Sequence, residues 1–336
     1  MIKIGIIGYG YWGVNLLRTF FNTRGCSVSL VADLRKERLN LVKKTYPSVN
    51  VSLNSADVIN DNNIDAVVLA TPVSLHYYLS KECLNKGKHV LVEKPMTGSV
   101  NQAKKLTSLA KRKRKILMVD HTFLYSPAVQ KIKYLMDKGQ IGKIQYFDST
   151  RINLGLFQSD INVLWDLAPH DISILCYLLK EEPITVQATG VSHTKNSLEN
   201  IAYLILKYES GIIAHISCSW SSPVKIRSTI IGGDKKMIKY DDLEPAEKIK
   251  IYDTGYSVDT EERRRNILVS YRTGAVFIPK IADTEPLQNM AIDFIHSIKK
   301  KTEPVSDCKI GLRVVKILEL SQKSIKNDSK EIVYRK

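Results

Sequence analysis

Long apolar runs and paired cysteines are both absent from this chain of 336 residues. No apolar stretch approaches the roughly 18 residues that a helix needs to cross a bilayer, so we expect no membrane interaction. The five cysteines are widely separated and odd in number, and none forms a Cys-x-x-Cys pair, which argues against a disulfide framework and a zinc site. The first predicted strand begins at Ile2 and leaves no room for a signal peptide. We therefore expect a cytoplasmic protein without a metal site.

Acidic residues are scarce relative to basic ones, with 34 Asp and Glu against 50 Lys and Arg and a formal net charge of +16. Such an excess is typical of nucleic-acid-binding proteins, but here the basic residues are spread along the chain and are seldom interleaved with aromatic residues. The densest basic run, at 111–115, lies at the end of a predicted helix, where cations suit the helix dipole. We therefore expect small acidic ligands, such as a dinucleotide, rather than a nucleic acid.

Internal repeats and low-complexity linkers are also absent, and the length suits two domains that each bury a core. Residues 1–120 alternate predicted strands and helices, with continuous apolar strands at 66–70 and 89–92. Such runs are typical of parallel strands that helices cover on both faces. The sequence therefore predicts an α/β Rossmann domain, with a doubly wound parallel sheet, over residues 1–120.

The pattern changes after this first domain. A helix is predicted at 166–179, and consecutive strands separated by turn residues then fill most of 184–252. These strands predict a substrate-binding and oligomerisation domain over 121–336, of α+β class with a large open antiparallel sheet. The charged segment at 262–265 has little apolar content and is expected to form a surface loop.

The N-terminal apolar strand leads directly into the motif Gly8-Tyr9-Gly10-Tyr11-Trp12-Gly13 and then into a helical pattern. Gly8 allows the tight turn out of the strand, Gly10 lets backbone N–H groups approach a pyrophosphate, and Gly13 lets the helix pack close to the sheet. The phosphates would lie at the positive end of the helix. The motif therefore predicts a dinucleotide site.

A second predicted strand, at 27–32, ends at Asp33, twenty residues after Gly13. An acid at this position accepts hydrogen bonds from the adenosine ribose hydroxyls and repels a 2′-phosphate, so NAD is the predicted cofactor. Arg35 leaves NADP open as the alternative, because a guanidinium two residues further on could accommodate a 2′-phosphate.

The order of a Rossmann half followed by an antiparallel sheet, together with Glu93-Lys94-Pro95 and Asp166-Leu-Ala-Pro-His170, resembles the glucose-fructose oxidoreductase/inositol dehydrogenase (Gfo/Idh/MocA) family over essentially the whole chain. The resemblance implies that Lys94, Asp166 and His170 line the nicotinamide end of the cleft and that the Lys94-Pro95 bond is cis. The segments at 219–227 and 285–287 are similar to the branch that acts on nucleotide-activated sugars, especially the 3-dehydrogenases of UDP-N-acetylglucosamine type.

The residue types also suit hydride chemistry on a secondary alcohol, which needs a base for the hydroxyl proton and a cation for the developing alkoxide. His170 is the predicted base and Lys94 the predicted cation. Because Pro169 is tolerated in a first helical turn, we expect the helix to start near Asp166, with Asp166 and His170 on one face. A His near a helix N-terminus tends to have a lowered pKa, which favours the neutral base. Alternatively, Asp166 caps the helix and His170 is an ordinary surface residue.

Two groups of binding residues follow. The segment 71–76, which ends at His76, is similar to the family segment beside the cofactor, although His76 could instead cap a helix. The predicted cofactor-binding residues are Gly8, Gly10, Tyr11, Trp12, Gly13, Asp33, Leu34, Arg35, Ala70, Thr71, Pro72, His76, Glu93 and Lys94. The predicted substrate-binding residues are Lys94, His121, Tyr125, Arg151, Asn153, Asp166 and His170, of which Tyr125, Arg151 and Asn153 could equally be structural.

These features predict an NAD-dependent dehydrogenase that oxidises the 3-hydroxyl of a nucleotide sugar such as UDP-N-acetylglucosamine. Three alternatives remain: a free sugar or inositol dehydrogenase, a ketosugar reductase using the same base as an acid, and a non-catalytic NAD-binding regulator. An open sheet normally buries its outer face, so we expect a homodimer or homotetramer.

Overall fold

The computed structural model describes residues 1–155, 157–158, 160–195, 197–257 and 270–334. The chain forms two compact units, which consist of Met1–Ser126 with Thr284–Lys316 and of Pro127–Asp283 with Ile317–Lys336. This division differs from the single boundary expected at residue 120, because the chain returns to the first unit at Thr284. The surface loop predicted at 262–265 lies outside the described residues.

The first unit alternates strands and helices, as the apolar runs predicted. Its strands are β1 (Ile2–Ile7), β2 (Cys26–Ala32), β3 (Asn50–Ser52), β4 (Ala66–Leu69), β5 (His89–Val92) and β6 (Leu117–Val119). Its helices are α1 (Tyr11–Asn22), α2 (Lys36–Thr45), α3 (Ser55–Asn60), α4 (Val73–Asn85) and α5 (Val100–Lys113), with a 3-10 turn at Thr122–Tyr125. The six strands pair in parallel in the order β3-β2-β1-β4-β5-β6, which confirms the predicted doubly wound sheet.

The returning segment adds a helix to this unit and covers one edge of its sheet. It carries α8 (Pro286–Lys300) and the start of α9 (Cys308–Lys326). The ring of Phe294 packs edge-on against Phe20 of α1 at 6.1 Å, and both side chains are fully buried. Burying each such side chain contributes about 1.5–3 kcal/mol. The backbone N–H of Val119 donates to the Ser306 carbonyl at 3.0 Å, so the segment satisfies the otherwise open edge of β6.

The second unit is built around one large sheet. Its helices are α6 (Pro127–Asp137), α7 (Val163–Leu178) and the end of α9. Its strands are β7 (Ile144–Leu154), β8 (Pro183–Val191), β9 (Ile201–Tyr208), β10 (Ile213–Ser219), β11 (Ser221–Gly233), β12 (Met237–Asp241), β13 (Ile249–Tyr252), β14 (Gly255–Ser257), β15 (Ser270–Arg272), β16 (Val276–Phe277) and β17 (Ile332–Val333). The nine-stranded sheet has the order β16-β13-β12-β11-β7-β10-β9-β8-β17, and β14 pairs with β15.

This sheet is antiparallel except for one pair, β7 and β10, which run parallel. The predicted open antiparallel sheet is therefore confirmed in class and corrected at its centre. The reason is topological: β7 precedes α7, and β10 returns beside it in the same direction. Along β9 the side chains alternate, with Ala202, Leu204 and Leu206 buried and Tyr203 exposed on the opposite face. One face of the sheet therefore carries the core.

Helix α7 begins three residues earlier than expected. Asn162 caps it, because its side-chain Oδ1 accepts a hydrogen bond from the N–H of Trp165 at 3.0 Å. Pro169 therefore lies inside the helix rather than in its first turn. The expected start near Asp166 is wrong, and an N-terminal dipole effect on His170 no longer applies because that effect fades beyond the first turn.

Three observations concern the cysteines, the helices and possible metal ligands. All five cysteines are free thiols. Within the described ranges, no helix is long and apolar enough to cross a membrane, and no group of His, Cys, Asp or Glu side chains is arranged to hold a metal ion.

Candidate active site

The glycine-rich turn between β1 and α1 has the close packing that its spacing predicts. Gly8 has a φ of +97°, and a Cβ there would lie 2.3 Å from the Ala70 carbonyl oxygen. A Cβ on Gly13 would lie 2.2 Å from the Gly8 carbonyl oxygen, so the helix can approach the strand only without a side chain at Gly13. Around Gly10 the nearest atom would be Arg35 Nη2 at 3.8 Å, which leaves its backbone open to a ligand.

An open groove of about 560 Å³ runs along the carboxyl edge of the first unit's sheet. Its lining includes eight of the predicted cofactor residues: Gly8, Gly10, Asp33, Leu34, Arg35, Ala70, Thr71 and Pro72. The lining also includes apolar side chains that were not among the predicted residues, such as Leu53, Leu75 and Leu79. Tyr11 and Trp12 lie at the start of α1, with Tyr11 strongly exposed. A glycine cradle beside a partly apolar groove fits a dinucleotide.

Asp33 and Arg35 form a forked ion pair in this groove. Arg35 Nε donates to Asp33 Oδ1 at 3.0 Å, and Nη2 donates to Oδ2 at 3.1 Å. The N–H of Tyr9 also donates to Oδ2, at 2.7 Å. Burial would raise the pKa of the Asp33 carboxyl, but these hydrogen bonds outweigh it and hold the pKa below its usual range. Asp33 is therefore an ionised acceptor at neutral pH, placed as predicted at the end of β2.

His76 of α4 connects the turn after β4 with the turn after β5. Its Nε2 lies 2.7 Å from the Thr71 carbonyl oxygen, and its Nδ1 lies 2.9 Å from the Pro95 carbonyl oxygen. Burial lowers the pKa of His76 despite these two carbonyls, so the ring is neutral at neutral pH and donates to one carbonyl at a time. His76 is thus not a simple helix cap, because it ties the groove residue Thr71 to the turn that carries Lys94.

The turn after β5 contains the predicted catalytic lysine. The Lys94-Pro95 bond is cis, as the family resemblance implied. Lys94 is half-buried, whereas its neighbour Glu93 is buried and accepts a hydrogen bond from the Lys94 backbone N–H at Oε2, at 3.1 Å. The buried carboxyl of Asp120, which follows β6, lies at the adjacent strand end, and its charge helps to raise the pKa of Glu93. Asp120 is absent from the predicted site, although its place after a strand was a usable signal.

His121 is enclosed in the protein rather than open to a ligand. It is 0% exposed, and neither ring nitrogen has a hydrogen-bond partner among the described residues. Burial, aided by the nearby charge of Lys94, lowers the pKa of His121 to about 3. The predicted direct role in substrate binding does not agree with this burial.

Tyr125 is also a structural residue. Its hydroxyl donates to Asp293 Oδ2 at 2.7 Å and accepts from the Ser306 N–H at 3.1 Å. The side chain is buried, and these bonds anchor the returning segment of the first unit. Tyr125 therefore has the structural role that was the alternative to substrate binding.

In the second unit, α7 carries Asp166 and His170 one turn apart on one face. Both residues are partly exposed. Asp166 Oδ2 accepts a hydrogen bond from Trp220 Nε1 at 3.2 Å, and Trp220 itself is buried. Asn153 lies near this tryptophan, because both side chains flank Gly155. The second unit therefore groups the predicted residues Asn153, Asp166 and His170 near Trp220. Trp220 was not among the predicted site residues.

Arg151 points into the core of the second unit. Its Nε donates to Asp171 Oδ2 at 2.6 Å and its Nη2 donates to Oδ1 at 3.0 Å. Ser149 also donates to Asp171, at 2.9 Å. Arg151 is 4% exposed, so it is unavailable to a substrate, and its predicted binding role is replaced by a buried ion pair. The sequence offered no local signal, because Asp171 lies twenty residues away.

Two family models match the chain. The model described as "Oxidoreductase family, NAD-binding Rossmann fold" matches residues 2–121. The "GFO/IDH/MocA C-terminal domain" matches residues 129–239. Together they match more than half of the chain.

Curated relatives carry oxidoreductase names. "Uncharacterized oxidoreductase YdgJ" of Escherichia coli is 31% identical over 57% of this chain and 56% of its own length. UDP-N-acetylglucosamine 3-dehydrogenase of Acidithiobacillus ferrooxidans is 26% identical over 94% of both chains. The NAD+-dependent scyllo-inositol 2-dehydrogenase of Bacillus subtilis is 27% identical over 69% of this chain and 70% of its own length.

Solved structures share the fold. The Acidithiobacillus ferrooxidans enzyme GnnA superposes with a TM-score of 0.82 at 22% identity, covering 98% of this chain and 99% of its own. An oxidoreductase from Agrobacterium radiobacter, in complex with NAD+, L-tartaric acid and magnesium, also superposes with a TM-score of 0.82, at 17% identity, covering 99% and 98%. With a glycine cradle, an acid after β2 and both family models matched, the chain belongs to the Gfo/Idh/MocA oxidoreductase family and has its NAD-binding Rossmann fold.

Proposed function

We propose that the protein is an NAD-dependent dehydrogenase that oxidises a secondary hydroxyl group of a sugar. The observation that carries this proposal lies in the first unit, where the groove with ionised Asp33 leads to Thr71, and His76 ties Thr71 to the turn of Lys94. This arrangement supports cofactor binding next to a positioned lysine. A regulator that only binds NAD would need the groove but not the lysine turn.

The chain's own residues divide the chemistry between them. Asp33 would accept hydrogen bonds from the ribose hydroxyls, and the N-terminus of α1 would face the pyrophosphate. NAD, when bound, accepts the hydride. His170 takes the hydroxyl proton as general base, and the ammonium of Lys94 stabilises the negative charge that develops on the substrate oxygen. The roles of Lys94 and His170 rest on the family motifs.

We further propose that the substrate is a nucleotide sugar oxidised at its 3-hydroxyl, such as UDP-N-acetylglucosamine. The relative named for that reaction is similar over 94% of both chains, and the net charge of +16 suits a diphosphate. A free sugar or inositol is the second candidate, supported by the scyllo-inositol dehydrogenase relative. The same base would serve as acid for the reverse reaction on a ketosugar.

A substrate panel tests these proposals. Purified protein with NAD is offered nucleotide sugars and free polyols, and NADH absorbance is followed. Turnover of UDP-N-acetylglucosamine or a relative is the expected result. Turnover of free polyols alone would overturn the nucleotide-sugar proposal, and turnover of none, with NADH bound in calorimetry, would favour a regulator.

Two variants test the assigned roles. Lys94→Ala and His170→Ala should each lower kcat/KM by about 100-fold or more while leaving NADH binding intact. The exposed residues Lys86 and His296 provide matched controls, because Lys86→Ala and His296→Ala remove the same side chains from the surface. Activity equal to wild type in either test variant would contradict its role.

We also propose that the protein pairs through the uncovered face of the large sheet. Tyr203, Ile213 and Ile230 are 46%, 47% and 40% exposed there, which is apolar for a solvent-facing surface. Ile213→Lys should dissociate a dimer or tetramer in sedimentation experiments, whereas the control Ile292→Lys, on exposed α8 surface, should not. A wild-type monomer at micromolar concentration would contradict the proposal.

A further inference from the structure

Glu93 and Asp120 are neighbours because the strands before them are paired in register. Val92 of β5 lies opposite Val119 of β6, and the two strands are parallel. The N–H of Asp120 donates to the Val92 carbonyl at 2.8 Å, which extends the ladder to the carboxyl residues. Both side chains therefore leave adjacent strands at the same level of the sheet edge.

The two carboxyl groups are buried side by side at the ends of paired strands. Glu93 is 8% exposed and Asp120 is 3% exposed. Two buried, ionised carboxylates at adjacent strand ends would repel each other and could not hydrogen-bond to each other, whereas one proton between them would remove the repulsion. Burial and the charge of Asp120 raise the pKa of Glu93 well above its usual range, and burial also raises the pKa of Asp120, so Glu93 is the carboxyl that holds a proton more tightly.

The other contacts of the pair agree with a single proton. Glu93 Oε2 accepts from the Lys94 N–H at 3.1 Å, and Asp120 Oδ1 accepts from the Thr122 hydroxyl. The remaining oxygens, Glu93 Oε1 and Asp120 Oδ2, are buried and have no hydrogen-bond partner among the described residues. One shared proton would satisfy an oxygen of each carboxyl.

Lys94 is the cation that acts on this pair. Its charge lowers the pKa of both Glu93 and Asp120, opposing their burial. The adjacent His121 is neutral at physiological pH and adds no charge. The charge beside the turn after β5 is thus set by the half-buried Lys94 and the buried carboxyl pair.

We propose that Glu93 and Asp120 share one proton and act as a single buried negative charge that positions the ammonium of Lys94. The inference rests on the proposed function, in which Lys94 stabilises the reacting oxygen, and it makes Glu93 and Asp120 positioning residues. A pair with one charge balances the lysine, whereas two charges would add unbalanced negative potential where an alkoxide develops.

Amide substitutions distinguish a pair that shares one proton from two carboxyl groups that act independently. In Glu93→Gln the amide N–H can donate to ionised Asp120, and in Asp120→Asn it can donate to ionised Glu93. Each single variant therefore keeps one hydrogen bond and one negative charge. The double variant Glu93→Gln/Asp120→Asn keeps the shapes but loses the charge.

Infrared spectroscopy tests the shared proton without a substrate. At pH 7 the wild type should show the C=O stretch of a protonated carboxyl, and this band should vanish in both single variants. Asp33→Asn is the control, because Asp33 is ionised and its replacement should leave the band unchanged. A band that persists in Asp120→Asn would overturn the shared proton, since Glu93 would then be protonated by burial alone.

Labelling of Lys94 tests the positioning, also without a substrate. Acylation by an amine-reactive ester, read by peptide mass spectrometry, should change by at least about threefold at Lys94 in the double variant, because the side chain has lost the anion that holds its position. The single variants should match the wild type, and Lys86 should be unchanged in all. An unchanged Lys94 in the double variant would overturn the positioning role.

Kinetics adds a third readout if the proposed activity is found. The double variant should lose at least about tenfold more kcat than the less active single variant, with KM for NAD unchanged. Single variants as inactive as Lys94→Ala would contradict the pair. If no sugar is oxidised, the infrared and labelling results still decide the inference, so its failure is distinct from failure of the proposed function.

Discussion

Arg35 engages both carboxylate oxygens of Asp33, at 3.0 and 3.1 Å, so the residue that favours NADP is bound to the residue that favours NAD. Arg35→Ala should free Asp33 for the ribose hydroxyls. We expect NADH affinity to be kept or raised and NADPH affinity to fall about tenfold, because a phosphate loses its cation. Calorimetry with both cofactors measures the two affinities.

Asp33→Asn is the complementary change. Without the carboxylate charge, NADH affinity should fall about tenfold and the preference should move toward NADPH, since the repulsion of a 2′-phosphate is lost while Arg35 remains. Tighter binding of NADPH than NADH by the wild type would show that Arg35 directs the choice and would refute the NAD assignment.

Arg151→Ala should destabilise the second unit strongly. It leaves Asp171 as a buried, uncompensated charge, a change that typically costs about 3–5 kcal/mol. Arg18→Ala is the matched control: Arg18 also pairs with a carboxylate, Glu285, but its side chain is 46% exposed, so we expect less than about 1 kcal/mol. Urea unfolding measures the free energy of both variants. A stable Arg151→Ala protein with a raised substrate KM would restore Arg151 to the binding site.

Tyr125→Phe tests the anchor of the returning segment. Losing the hydroxyl leaves Asp293 and the Ser306 N–H without this partner, which should lower the free energy of unfolding by about 1–3 kcal/mol. Tyr78→Phe, at a position 60% exposed, should have little effect. Substrate KM should not change in either variant, and a KM effect confined to Tyr125→Phe would instead indicate a ligand contact.

His121 predicts how stability depends on pH. The pKa of His121 is about 3 in the folded protein, against an ordinary value of 6.5. Between pH 3 and pH 6.5, His121 is therefore protonated in the unfolded chain but neutral in the folded protein. The stabilisation is complete above about pH 6.5 and is lost as the pH falls toward 3. The slope from this group is at most about 1.4 kcal/mol per pH unit.

His121→Leu removes this titration. Urea unfolding between pH 7 and pH 4 should show a shallower loss of stability in the variant than in the wild type. The exposed His296→Leu serves as the surface control. An unchanged slope in His121→Leu would mean that His121 is not held neutral by burial.

Local signals predicted much of the first unit. The glycine spacing, the acid after β2 and the Lys-Pro turn are short-range patterns, and the structure places them as expected because strand, turn and helix are adjacent in the chain. The start of α7 also has a local signal, since Asn162 is a favoured N-cap residue. The prediction of a start near Asp166 followed instead from the preference of Pro169 for a first helical turn.

The amino-acid sequence by itself determined the nucleotide-binding turn, since the positive φ of Gly8 and the contact of Gly13 with the Gly8 carbonyl both lie within the turn. Only the tertiary structure decided that Arg151 and Tyr125 are structural residues and that Glu93 lies beside Asp120. The partner of Arg151 is 20 residues away in the sequence, and the partners of Tyr125 are 168 and 181 residues away. A side chain's burial and charge depend on what the folded chain brings beside it, and the distant partners of Arg151 and Tyr125 leave no periodic or local trace in the sequence.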